Sequence, residues 1–346
     1  MSNIEFSIPN IEGKRIRSLR YSILNIRNSI FAGVFTAISL PTGPTIANES
    51  DNKSPEGAKM HSAEFRTRAF HGVLGDNAAG PDEHAPGFNG LWSLVPAGMQ
   101  ESMIGRQLAG LNLEHYINGT DEDGKKPEIL FDPRRSPMEF KQSSDSRFLL
   151  HQPPTKFFQV ESWTEFAVRA PNIIDMSFRC IPRREIFPNE WLGVFWATYV
   201  EAPEDPHAKF LGYETPEAEE PKWLETDGTQ MVYGRTARVP LKFPGPMQGH
   251  TMGTTDPRRW AKPFYYAVWR DHAYIVMFDT DHDLGMYAGK TKTKNGWNPW
   301  DFQMIIHEPK VGSEYKLNLR MVVDRFKGKG WVMEEYRKWR VFRDAE

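Results

Sequence analysis

Ten histidines are spread over 346 residues, and an imidazole titrates close enough to neutrality to give and take protons. Three of them border turns or strand ends, where a rigid scaffold presents a side chain: His71 in Phe70-His-Gly72, His115 in Leu113-Glu-His-Tyr116 and His151 in Leu150-His-Gln-Pro-Pro154. The plain alternative for each is a structural histidine bonded to a loop carbonyl. Glu114 adjoins His115, yet neighbours on a regular strand point to opposite faces, so only one of the two would face a site. Arg134 and Arg135 follow Phe131-Asp-Pro133, and Arg179, Arg183 and Arg184 flank a strand end. A guanidinium fork holds a uronate carboxylate or a sulfate through paired bonds, and in an elimination it also acidifies the neighbouring C–H. The competing reading is a surface or structural ion pair.

Aromatic rings offer platforms for the apolar C–H faces of sugars. Trp196 and Tyr199 lie three apart on the run 192–200, so they fall on opposite faces of a regular strand, and Tyr265, Tyr266 and Trp269 form a second group. Core packing competes for each ring. Asp279-Thr-Asp281-His-Asp283 sets acidic side chains at alternate positions, which suits one hard cation such as Ca²⁺. The run departs from the EF-hand pattern, and a solvated, metal-free acidic loop competes with it, so no cofactor is expected beyond that candidate. Phosphate-cradling glycine loops, HExxH, CxxC and GxSxG are all absent. The single cysteine, Cys180, rules out an intramolecular disulfide and sits on the apolar side of its strand as an inert thiol.

The elements that must position these groups are strands. Phe158, Val160, Phe166 and Val168 alternate with Gln159, Glu161, Glu165 and Arg169, and Ala170-Pro-Asn172 turns the chain. Ile174, Met176, Phe178 and Cys180 then alternate with Asp175, Ser177 and Arg179, which predicts a hairpin with one buried face. The stretch 191–200 reads as a central strand, 264–269 and 273–278 as a hairpin, 302–306 as a short central run and 314–324 as an alternating strand. Only 331–343 has the spacing of a helix. The segment 203–260, rich in proline and charge, reads as long loops. Many strands with one terminal helix predict an all-β, large antiparallel β-sandwich.

The formal net charge of -2 argues against nucleic acid or an anionic membrane as partner. Lys14, Arg15, Arg17, Arg20 and Arg27 precede an apolar run over 29–40, and Thr45-Ile-Ala47 leads into a polar stretch. Those are the parts of a secretory signal, and the run is shorter than the ~20 residues of a spanning helix. The expected organisation is a leader over 1–47, a linker over 48–60 and a single domain over 61–346, secreted or periplasmic, with no stable membrane anchor. The oligomeric state is left open.

Four strings in order carry a resemblance: Ala109-Gly-Leu-Asn-Leu-Glu-His-Tyr116, Leu192-Gly-Val-Phe-Trp-Ala-Thr-Tyr-Val200, Pro263-Phe-Tyr-Tyr266 and Asn298-Pro-Trp-Asp-Phe-Gln303. Together they resemble an uncharacterised family of exported bacterial proteins whose sandwich is similar to that of galactose mutarotase-like carbohydrate enzymes. The resemblance runs from about His71 to the terminal helix and implies a fold and a carbohydrate ligand, with no catalytic residue to carry over. The expectation is an enzyme that cleaves a poly- or oligosaccharide by hydrolysis or β-elimination. Its site would join His115 to His71 or His151 with Arg134 nearby, walled by Trp196, Tyr199, Tyr265, Tyr266 or Trp269. A non-catalytic carbohydrate-binding or cell-surface protein and a sugar epimerase are the alternatives.

Overall fold

Side chains that alternate between apolar and polar can bury one face of a sheet, and the chain uses that solution almost throughout. A computed structural model describes residues 59–81, 83–117, 131–185, 187, 190–238, 255–289 and 296–345, all within the unit Gly57–Glu346. The leader expected over 1–47, and nearly all of the linker over 48–60, lie outside the described residues. Among those residues, no helix is long and apolar enough to cross a membrane.

The strands begin with β1 (Ser62–Arg66), β2 (Phe70–Gly75), β3 (Gly90–Pro96) and β4 (Asn112–Ile117). A one-turn helix α1 (Asp132–Arg135) precedes β5 (Glu139–Ser144), β6 (Arg147–Gln152), β7 (Val160–Arg169), β8 (Ile173–Pro182), β9 (Trp191–Ala197) and β10 (Tyr199–Glu201). Then follow β11 (Lys209–Tyr213), β12 (Lys222–Glu225), β13 (Met231–Gly234), β14 (Thr255–Trp260), β15 (Phe264–Trp269) and β16 (His272–Asp279). The chain finishes with β17 (Asp283–Ala288), β18 (Trp297–His307), β19 (Tyr315–Arg325) and helix α2 (Lys329–Asp344). The stretch 203–260 is therefore not the loop region its proline and charge suggest. Strands β11 to β14 lie there, short and partly exposed, and residues 239–254 fall outside the described set.

Strands β1, β2 and β3 form a small antiparallel sheet. The large sheet runs β4-β9-β18-β17-β13-β14-β11-β15-β16-β19-β8-β7-β6-β5, with β10 added to β18 and β12 to β11. Its pairings are antiparallel apart from β13 with β14. The sheet folds back so that its two halves share one core. Phe178 on β8 meets Trp196 on β9 edge to face at 4.8 Å, and Phe278 on β16 meets Phe302 on β18 at 4.9 Å. These strands are far apart in sheet order, so such contacts make the all-β sandwich. Cys180 is buried here, and desolvation pushes its thiol far above the ordinary range.

Helix α2 covers the outer face of β15 and β16. Val332, Tyr336 and Trp339 pack with Phe264, Tyr266, Ile275 and Met277. Arg320 lies under Trp339 and Phe342, held by two bonds to Asp175 at 2.6 and 2.9 Å. Trp339→Ala is expected to cost about 3–5 kcal/mol of unfolding free energy, as for other buried tryptophans cut to alanine. Urea denaturation monitored by circular dichroism measures it, and a loss below about 1 kcal/mol would mean that the helix is not part of the cooperative unit.

Candidate functional site

On β18 the apolar side chains Trp300, Phe302, Met304 and Ile306 enter the main core, so Asp301, Gln303, Ile305 and His307 take the other face. Across β9 and β17 that second face continues with Phe195 and Ala197 and with Asp283, Gly285 and Tyr287. The register aligns His115, Phe195, Gln303, Gly285 and Tyr233 in one row over five strands. Gly285 has no side chain to keep Tyr233 away: a Cβ there would lie 2.9 Å from the ring. The Tyr233 hydroxyl thus reaches across β17 to the amide of Gln303, which donates to it. The Gln303 carbonyl oxygen is buried and has no protein partner. This face sets the buried polar groups Asp301 and Gln303 beside an apolar cluster of Ile117, Trp191, Phe195, Ala197, Met231, Tyr233 and Ile305, and buried polar groups in such company are the informative ones.

The register of β4 against β9 shifts between Leu113 and His115. Glu114 is the extra residue of a β-bulge, and bulges re-aim side chains. Leu113 and Tyr116 both enter the main core, while Glu114 and His115 both turn to the second face. The expectation that only one of the pair faces the site is therefore corrected. Their side chains approach to 3.9 Å, between Glu114 Oε1 and His115 Nε2. The His115 ring packs between Phe131 and Phe195 at 4.5 and 5.1 Å. Asn89 stabilises the bulge by pairing its side-chain amide with both the N–H and the carbonyl of Leu113. It also donates to Asn77, which donates to the carbonyls of Pro133 and Ser136 and so ties the bulge to α1.

Glu114 is 2 % exposed and fully engaged. The Tyr199 hydroxyl donates toward its two oxygens at 2.8 and 3.0 Å, and Arg134 Nη1 donates to Oε1 at 2.8 Å. Arg134 also donates from Nε to the Gly87 carbonyl at 2.7 Å and stacks on Phe88 at 3.7 Å. Its Nε and Nη1 are thus engaged by Gly87 and Glu114, while the side chain also lines a pocket beside Phe131 and Gly87. Tyr199 pairs with Pro299, two residues before Asp301 on the same face. Asp301 Oδ1 accepts the Thr198 N–H at 2.9 Å. Burial pushes the Asp301 carboxyl well above the ordinary carboxylate range, and the charge of Glu114 pushes the same way against the Thr198 bond. Burial, followed by the charge of Glu114, also raises Tyr199. Asp301, Glu114 and Tyr199 thus form one buried polar cluster, in which burial makes the Asp301 carboxyl and the Tyr199 phenol hold their protons more tightly than usual.

The other expected site residues lie elsewhere. His71 on β2 lines a separate cavity of about 1300 Å³ over the small sheet. His151 projects from the outer face of β6, where it bonds Glu161 at 2.9 Å and stacks on Trp163 at 5.1 Å. Its neighbour Gln152 points inward to the Pro133 carbonyl, so His151 is on the face away from α1. Trp196, Tyr265 and Trp269 are core residues at 0–1 % exposure, and Tyr266 is buried under α2. They cannot act as sugar platforms. Asp279 binds Arg340 and Arg343 of α2, whereas Asp283 accepts His307 Nε2 and the Arg238 N–H, and Asp281 is exposed. The three carboxylates are not gathered at one point. Among the described residues no cluster of three or more histidine, cysteine or acidic side chains is placed to hold a metal.

No known family profile matches the sequence, and no curated protein does. Among solved structures, the chain is similar to a putative aldose 1-epimerase from Escherichia coli K12, at 8 % identity and a TM-score of 0.41 over 77 % of this chain and 100 % of that one. A galactose mutarotase-like protein from Lactobacillus casei gives 12 % identity and 0.41 over 76 % and 99 %. A heparan sulfate lyase from Pedobacter heparinus gives 10 % and 0.39 over 80 % of this chain but 38 % of that one.

Proposed function

We propose that this chain is an exported carbohydrate-active enzyme that cleaves a poly- or oligosaccharide by general acid–base chemistry on the second face of the sheet. The observation that carries the reading is the grouping of two carboxyl groups in contrasting settings: Glu114, bonded by Tyr199 and Arg134, and Asp301, bonded by the Thr198 N–H and driven upward by burial. Two carboxyl groups in contrasting environments are the means by which one site supplies acid and base together. In hydrolysis Asp301 gives its proton to the glycosidic oxygen as the C–O bond breaks. Water adds to the anomeric carbon, and its proton passes to Glu114. In a β-elimination the proton next to a uronate carboxylate goes to Glu114 through Tyr199, and Asp301 protonates the departing oxygen. Arg134 is a positioning residue in both routes.

The second reading is a sugar epimerase, favoured by the pocket of about 440 Å³ beside Arg134, Phe131 and Gly87, the scale of a small sugar. Incubation of the purified protein with a panel of neutral, uronate-containing and sulfated glycans separates the readings. New reducing ends indicate hydrolysis, and ultraviolet absorbance of an unsaturated uronate indicates elimination. A change in optical rotation without chain shortening replaces cleavage with epimerisation. Binding with no product from any glycan contradicts the enzyme and leaves a binding module.

A further inference from the structure

Over the small sheet lies an open groove of about 1300 Å³, lined by Arg66, His71, Ser93, Gln107, Gln142 and Glu201 among others. Small-molecule sites occupy about 300–1,000 Å³, so the groove has room for more than one sugar. Its floor is β2 and β3, where Ser93 is partly exposed and His71 stands beside it. Trp92 backs the floor as a flat apolar wall, stacked on His84 at 4.0 Å. Gly75 and Gly80 make that wall possible, because a Cβ on either would fall within 2.3 Å of the indole. The remaining lining mixes apolar side chains such as Phe65, Val73, Pro81, Val95 and Ile104 with amides, hydroxyls and charges of both signs, which suits a sugar with apolar C–H faces and a hydroxyl rim.

The groove reaches β10, the strand that also carries Tyr199. Glu201 lines it, fixed by a bond from Trp297 Nε1 at 3.0 Å. Glu201 and Tyr199 are two apart on β10 and share a strand face, which places them about 7 Å from one another. The Tyr199 hydroxyl is the group that holds Glu114. A chain with one unit at Asp301 and Glu114 would thus meet the groove within about one sugar length of Tyr199.

We infer that this groove binds the remainder of an oligosaccharide whose reacting unit sits at Asp301 and Glu114, and that it makes the protein select long chains. The inference rests on the proposed cleavage of a poly- or oligosaccharide. Arg66, His71, Gln107 and Gln142 bond the distal units, and Ser93 leaves room for them. The test is the ratio of kcat/KM for long over short oligomers of one cleaved glycan, measured for the wild type, Ser93→Tyr and the double variant Arg66→Ala/Gln142→Ala. Each lost hydrogen bond costs roughly threefold to tenfold, so the wild-type ratio should exceed about tenfold and fall toward unity in both variants. Thermal melts verify folding, and the double variant decides the matter if Ser93→Tyr does not fold. A wild-type ratio near unity, or one that both folded variants preserve, overturns the groove while leaving cleavage intact. A wild type that yields no product from any oligomer instead removes the cleavage reading, and this inference with it.

Discussion

Asp301→Asn is expected to lower kcat by about a hundredfold to ten-thousandfold, the usual worth of a positioned proton donor, while making the protein more stable at neutral pH. The amide keeps a carbonyl oxygen for the Thr198 N–H but has no acidic proton to give. The stability gain follows from linkage. The folded state holds the Asp301 proton well above the ordinary carboxylate range, because of burial and then Glu114. An unfolded aspartate releases its proton near pH 3.9. Above that value the native state binds more protons than the unfolded state, so stability falls as pH rises toward the folded value. The contribution is fully present only below the unfolded pKa. Thermal melts of wild type and Asp301→Asn should therefore converge at acidic pH and diverge as pH rises, with the variant higher. Unchanged turnover, or a variant less stable at every pH, contradicts the assignment.

Arg134→Ala should cost about 3–5 kcal/mol, because it leaves the carboxylate of Glu114 buried without its cation. The substitution also removes the bond to Gly87 and the stack on Phe88, so part of the loss is packing. Glu114→Gln separates the two contributions. In the Arg134→Ala/Glu114→Gln double variant no unpaired charge remains, and the second substitution should restore at least about 1 kcal/mol relative to additivity. Urea denaturation of the four proteins gives the coupling energy. Purely additive losses would mean that Arg134 acts on Glu114 through packing alone.

The strands were legible because one buried face imposes period two: Val160 to Val168 and Ile174 to Cys180 lie in the core as their spacing requires. The segment 203–260 was not, because β11 to β14 are short and their charged side chains, such as Arg258 with Asp256, bond locally. Sheet order depends on contacts between distant strands, which periodicity does not encode. The bulge at Glu114 was illegible for a related reason: it comes from one extra residue of β4 against β9 and from the Asn89 side chain beside it. His115 and Arg134 both reach the Glu114 side chain, but His71 and His151 belong to other faces. A signal for the missed members was present in the string Trp300-Asp-Phe-Gln-Met304. Two polar residues at alternate positions of an apolar strand mark a polar face that something must use. The aromatic residues misled because Trp196, Tyr265 and Trp269 read identically whether they pack a core or a sugar.

The proposed acid–base pair requires Asp301 to hold its proton at neutral pH, the direction in which burial drives it. The infrared difference spectrum of wild type minus Asp301→Asn at neutral pH tests it without a substrate. The expected result is the carbonyl stretch of a protonated carboxylic acid, lost in the variant and fading at a pH above the ordinary carboxylate range. A carboxylate band in its place would show an ionised Asp301, and the acid–base pair would not exist.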